Sequence, residues 1–321
     1  MELYFTFNSI AAAITKLFLL MFMGYMLHKK KIIDDNFTDT LSALLIKIIF
    51  PALIFTKIIS HFSFNEYAYW WILPLSAMAL SLSGMAIGRF VYVLIKGKGS
   101  NREFMCGCGF QNCAYLPMNL ILFSFSGALS DRLLIYMFLF IAGFNLIMWS
   151  LVPLFLAGGI RKDFSFRVFL NPPVIATVLS IIWVAFSGGR SFPPIFSEPL
   201  KQLGLSAFPL AMITLGAYLS KYRAYDLGGE IRKNVIATCI SKLIILPAIV
   251  LAVLMFLPVG IDYKFFIFLQ SVMPTAVSLV VIGSFSGADN KFLSGAIFYS
   301  HLTAIFSIPL WFILFRLLLL K

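Results

Sequence analysis

The sequence predicts an all-α integral membrane protein of about ten transmembrane helices, arranged as two inverted five-helix repeats in which helices four and nine are broken. Three observations predict it. Of the 321 residues, 61% are apolar and only 12% charged, about half the charged fraction usual in a soluble domain. The apolar residues fall in stretches near the roughly 20 residues that a spanning helix needs, separated by short charged or Gly/Pro-rich breaks. Proline-containing words also recur in the same order in the two halves. Lipid cannot satisfy exposed backbone polar groups, so such stretches form helices, and the short alternating segments of a β-barrel are absent.

In order, the spans lie at about 10–27, 37–60, 67–95, 104–125, 133–156, 173–186, 200–219, 234–257, 265–285 and 292–320, with ends uncertain by about three residues. Span one ends at His28-Lys29-Lys30-Lys31, span two holds Pro51, and span three closes on Lys96-Gly97-Lys98-Gly99. Span five is followed by Arg161-Lys162-Asp163, and span seven by Lys221, Arg223, Arg232 and Lys233. The net charge of +12 is carried mainly in odd-numbered breaks, where Lys29, Lys96, Arg161, Lys221 and Lys291 lie. Even breaks and the ends hold fewer, among them Arg132, Arg190, Lys201, Lys264, Arg316 and Lys321. This is the positive-inside pattern of a multi-pass protein of the cytoplasmic membrane, with odd breaks cytoplasmic and both termini extracytoplasmic. The same distribution excludes nucleic acid as a partner and leaves the lipid bilayer. The first stretch lacks a basic n-region, so no cleaved signal is expected.

The repeat follows from matched words. Phe50-Pro51-Ala52-Leu53 in span two answers Phe208-Pro209-Leu210-Ala211 in span seven, and Leu73-Pro74 in span three answers Leu246-Pro247 in span eight. Leu116-Pro117 followed by Ser124-Phe125-Ser126-Gly127-Ala128 answers Met273-Pro274 followed by Ser284-Phe285-Ser286-Gly287-Ala288. Val152-Pro153-Leu154 answers Ile308-Pro309-Leu310. The halves are residues 1–157 and 158–321. Five spans is an odd number, so the second copy enters from the opposite side.

Spans four and nine carry the candidate binding site. Each has a polar cluster around a proline: Gln111, Asn112, Pro117 and Asn119 in one, and Gln270, Ser271, Pro274, Thr275 and Ser278 in the other. Proline removes a backbone donor and frees a carbonyl one turn earlier. At membrane depth such groups are tolerated only against protein or a water-filled cavity. Half-helix N-termini there favour an anion, and Asn112, Asn119, Gln270, Thr275 and Ser278 add hydrogen bonds, so unpaired backbone dipoles are expected to await a ligand. No acid lies deep in a span, which weakens cation transport. Lys47, one turn before Pro51, and Lys242 in span eight either face an anion pathway or snorkel. His301 is a packed neutral side chain or a proton relay. Gly84 and Gly88 form a GxxxG packing pair. Cys106, Cys108, Cys113 and Cys239 form no CxxC pair and read as packing residues. No metal or cofactor is expected, and no enzymatic motif such as HExxH or GxSxG occurs.

The stretch from Met273 to Phe312, MPTAVSLVVIGSFSGADNKFLSGAIFYSHLTAIFSIPLWF, resembles the C-terminal signature of the auxin efflux carrier family. Asn112 followed by Pro117 resembles that family's first crossover, and the chain as a whole is similar to a bacterial-type member. The resemblance implies a secondary transporter working by alternating access, with spans four and nine crossing as broken helices. Spans 1, 2, 6 and 7 would form a scaffold, often a homodimer contact, and spans 3–5 and 8–10 a transport domain. It implies organic anion cargoes, auxin in plants and dicarboxylates such as malate or malonate in some bacterial members. It places binding at Asn112, Pro117 and Pro274. Two departures are visible: Asn and Pro are five residues apart here rather than seven, and the long cytoplasmic loop of plant exporters is absent. The alternatives are a sodium-coupled organic anion symporter of the bile-acid type and a membrane receptor that binds without transport.

Overall fold

A computed structural model describes residues 7–158, 172–187, 192–222 and 228–320. Arg161, Lys162, Asp163, Arg190, Arg223 and Lys321, used in the charge reading, lie outside them. The described residues form helices and no strand beyond one isolated bridge. Span one is α1 (Phe7–Lys29). Span two is α2 (Asp35–Leu44), a π-helical turn (Leu45–Ile49) and α3 (Phe50–His61). Span three is α4 (Ile72–Leu94), span four is α5 (Asn101–Gly109) and α6 (Tyr115–Ser124), and span five is α7 (Gly127–Ala157). Span six is α8 (Pro172–Phe186), and span seven is α9 (Pro194–Leu205) and α10 (Ala207–Tyr222). Span eight is α11 (Gly229–Ile240), a second π-helical turn (Ser241–Ile245) and α12 (Leu246–Phe256). Span nine is α13 (Ile261–Ser271) and α14 (Ser278–Ser286), and span ten is α15 (Asn290–Leu319). The result is ten spans in two inverted repeats, with four and nine broken and crossing. Among the described residues, six helical stretches are long and apolar enough to cross a bilayer.

The prolines explain most departures from a straight helix. Pro51 and Pro247 each follow a five-residue π-helical turn. Proline cannot donate, and its ring crowds the carbonyl one turn earlier. Widening that turn lets Phe50 N–H reach Leu45 O and Leu246 N–H reach Ser241 O. Lys47 and Lys242 sit inside these two turns. Pro74, matched to Pro247 by its Leu-Pro word, stands instead in the first turn of α4, where a missing donor costs nothing. That word therefore marks two different places. The SFSGA words do share a backbone feature: Gly127 and Gly287 both adopt positive φ, +61° and +70°, a conformation that glycine enters without a Cβ penalty.

The core centres on α7, whose residues 133–141 are all buried, as expected of a helix apolar on every face. Around it pack α3, α4, α6, α8, α13 and α14. Elsewhere α1 lies along α10, α3 along α9 and α11 along α15. Gly84 and Gly88 bring α4 onto α5: a Cβ on Gly84 would stand 2.6 Å from Cys108 O. The tightest approach is α1 on α10, through Gly24 and Gly216. Acids at the helix ends are paired, Asp131 with Lys57 (2.5 Å), Asp262 with Arg132 (2.7 Å) and Asp39 with Lys221 (3.2 Å). Glu103 lies in α5, is buried, and accepts the Asp289 N–H at 3.0 Å.

Candidate functional site

The break in span four runs between α5 and α6, and that in span nine between α13 and α14. Both are extended, and they cross antiparallel at a bridge between Gln111 and Thr275. Asn112 N–H donates to Pro274 O at 2.7 Å and Ala276 N–H to Phe110 O at 2.9 Å. The expectation of unpaired backbone groups is thus corrected in part: at the crossing the two breaks satisfy each other, because each is the nearest partner that lipid cannot supply. Side chains close more of the ledger. Gln270 Nε2 donates to Cys113 O at 3.3 Å, Thr275 Oγ1 to Gly107 O at 3.0 Å, and Thr275 N–H to Ser300 Oγ at 3.1 Å.

The sequence-derived site residues therefore separate into two groups. Asn112, Ser278 and Lys47 line one cavity of about 370 Å³ beside the crossing. Gln270, Pro274 and Thr275 build the crossing and do not line that cavity. Pro117 sits two residues into α6 and is buried, away from the cavity wall. It is not the structural counterpart of Pro274, which lies in the extended break itself. The bridge pairs the chains in a different register from the one the prolines suggest. Asn119 is also buried in α6, its Nδ2 donating to Tyr115 O at 3.0 Å.

The cavity lies between the π-helical turn of span two, the start of α8, the middle of α7 and the crossing. The first residues of α6 and α14, Tyr115 and Ser278, border it, so two helix N-termini face one space. Each carries roughly half a positive charge, although the first two N–H groups of α6 are already taken by Asn112 Oδ1. Lys47 adds an exposed ammonium with no hydrogen-bond or ionic partner among the described residues. The walls are apolar and aromatic: Phe50, Phe138, Phe144 and Trp149. No Asp or Glu among the described residues lines it. Its volume lies within the range of small-molecule sites.

Sequence reasoning missed Asn145, Trp149 and Tyr115, and read Cys113 as packing alone, yet all four line the cavity. For Asn145 a signal existed. It precedes Pro153 by the same interval at which His301 precedes Pro309, so the two polar residues occupy matching places on α7 and α15. His301 is fully buried and lines a second cavity of about 610 Å³, formed by α1, α10 and α15. Its Nε2 is 3.1 Å from Asn112 Nδ2. Lys242 is fully buried too, and donates to Gln111 Oε1 at 3.4 Å rather than lining the first cavity. A third cavity, about 510 Å³ between α4 and α7, is apolar apart from Arg102 and offers little to a polar solute.

Comparison with known proteins agrees with this architecture. An uncharacterized transporter, MJ1031 of Methanocaldococcus jannaschii, is 30% identical over 141 residues, which is 44% of this chain and 44% of the relative. The match thus spans less than half of the relative's length. The membrane transport protein family matches twice, over residues 9–163 and again over residues 159–312. Those two matches fall on the two five-span repeats and cover nearly the whole chain, so this multi-pass membrane protein belongs to the membrane transport protein family, the auxin efflux carrier-like group that its span-nine signature resembles.

Proposed function

We propose that this transporter is a secondary carrier that moves a small organic anion, a carboxylate, across the cytoplasmic membrane by alternating access. The observation that carries this reading is the convergence of Lys47, Asn112 and the N-termini of α6 and α14 on one cavity whose described lining includes no acid. Such a set offers donors and positive charge, and its aromatic walls suit the apolar body of an organic acid. In this reading spans 1, 2, 6 and 7 form a scaffold and contribute Lys47, while spans 3–5 and 8–10 form the moving unit and contribute the crossing. Both termini face outward, and a homodimer forms through the scaffold. Export of one negative charge down about 100 mV gains about 2.3 kcal/mol, enough for a gradient of roughly 50-fold without an ion partner.

The test is reconstitution in sodium-free proteoliposomes, with a potassium diffusion potential and a panel of labelled carboxylates including malate and malonate. Potential-driven carboxylate flux is expected. Flux that appears only with sodium selects the symporter, and binding without flux selects a receptor. Lys47→Gln removes the cation that the described residues place in the wall and is expected to raise the half-saturating carboxylate concentration about tenfold, the effect of losing one charge-assisted contact. Lys47→Arg keeps the charge and is expected to stay within about threefold of wild type. Equal affinities of Lys47→Gln and wild type would remove Lys47 from the site.

A further inference from the structure

The hydrogen bonds around Asn112 have only one consistent polarity. Asn112 Oδ1 faces the N–H groups of Tyr115 (3.1 Å) and Leu116 (3.5 Å). Backbone N–H can only donate, so that end of the carboxamide is the oxygen, and it caps α6. The other end, Nδ2, therefore carries two hydrogens, and one of them points at His301 Nε2. On its far side His301 places Nδ1 2.8 Å from Ile297 O. A carbonyl can only accept, so Nδ1 is protonated. Nε2 faces an amide that can only donate, so Nε2 is bare. The imidazole is neutral, in one tautomer, held at both ends.

This leaves Asn112, which borders the cavity, with one uncommitted group, the second N–H of Nδ2. Its oxygen is fully engaged. Gln111 is turned the same way: its Oε1 meets Lys242 Nζ at 3.4 Å, and the buried Nε2 has no partner among the described residues. A carboxamide normally offers a donor and an acceptor with little preference. Asn112 and Gln111 are thus turned so that their acceptor ends are taken by the protein, whereas Gln270, which does not line the cavity, donates its Nε2 to Cys113 O and leaves Oε1 without a partner among the described residues.

We infer that His301 is a positioning residue, which holds the Asn112 carboxamide with only its N–H edge toward the cavity and so makes the site select carboxylates over the matching uncharged amides. The inference rests on the cavity beside Asn112 being the cargo site. A carboxylate accepts at both oxygens and meets the donor edge. A primary amide of the same shape must bring its own N–H group toward N–H donors, and a site built for one polarity rejects the other strongly. Released from His301, the carboxamide loses one of the two restraints on its rotation, and the discrimination weakens.

Two measurements test this on the purified full chain. The first needs no ligand. The chain has three histidines, so ¹⁵N-histidine labelling gives three side-chain spin systems, and the one missing from His301→Gln belongs to His301. A protonated Nδ1 with a bare Nε2 is expected; a protonated Nε2 overturns the assignment. The second measures binding of benzoate and benzamide. Wild type is expected to prefer benzoate by at least tenfold. His301→Gln retains an acceptor toward Asn112 and is expected to keep that preference within about twofold. His301→Leu is expected to lower the ratio about tenfold. If His301→Leu weakens both probes equally, His301 is merely structural and the inference is wrong. A wild type that binds neither probe defeats the anion site and the selectivity with it, while the nitrogen spectrum still reports the tautomer by itself.

Discussion

Gly216→Ala is expected to disrupt the packing of α1 on α10 more than any other single methyl group added to this chain. A Cβ at position 216 would stand 1.9 Å from Met21 O and 2.9 Å from Tyr25 N, and one on Gly24 would stand 2.1 Å from Ile213 O. All these neighbours are backbone atoms, which cannot rotate away as a side chain can. The two helices must separate along their shared length, and their packing contacts weaken together. In lipid there is no hydrophobic drive to restore them, because helix association there depends on close packing. Overpacking of this kind costs about 3 kcal/mol, so the thermal midpoint in detergent and the monodisperse yield are both expected to fall sharply. Gly229→Ala is the control. A Cβ there meets nothing within 4 Å, and the midpoint is expected to move by no more than about 0.5 kcal/mol equivalent. If the two variants behave alike, the close approach of α1 and α10 is wrong.

The second large effect concerns Asn112→Ala. The substitution removes the cap on α6, the partner of His301 and a donor at the cavity wall in one step. The backbone bond from position 112 to Pro274 O is kept, since alanine retains its N–H. The crossing should therefore survive while the cavity loses its polar centre. A loss of about 100-fold in carboxylate flux is expected, equivalent to about 2.7 kcal/mol. Sedimentation and the melting profile should stay close to wild type, apart from about 1 kcal/mol for the lost cap. Undiminished flux would place the transport path elsewhere.

Much of this fold was legible because hydrophobic run length is a local property. Helix against break is decided within about 20 residues, and the order of spans follows. The candidate site was legible to the extent that polar residues inside apolar runs announce themselves, as Asn112 and Ser278 do. What the sequence hid is relational. Pro117 and Pro274 look equivalent as words, but one lies in a helix and the other in an extended segment. The register of the crossing depends on backbone bonds between residues more than 160 positions apart, and no local pattern encodes such bonds. Asn145 and Trp149 line the cavity from a helix that is apolar nearly throughout. Only its neighbours decide which face meets open space. Lys47 and Lys242 both lie in π-helical turns, yet one is exposed and the other wholly enclosed. Their difference comes from what packs beside each turn.

The bridge between the two breaks also constrains how the protein is made. Phe110 O and the N–H of Asn112 find their partners on Ala276 and Pro274, residues that leave the ribosome long after span four has entered the bilayer. A backbone left bare in hydrocarbon is strongly disfavoured. During synthesis, span four must therefore remain a continuous helix, or stay wetted, until span nine arrives to claim those groups. The amino-terminal half expressed alone has no such claimant, so the crossing is a product of the complete chain and not of either repeat by itself.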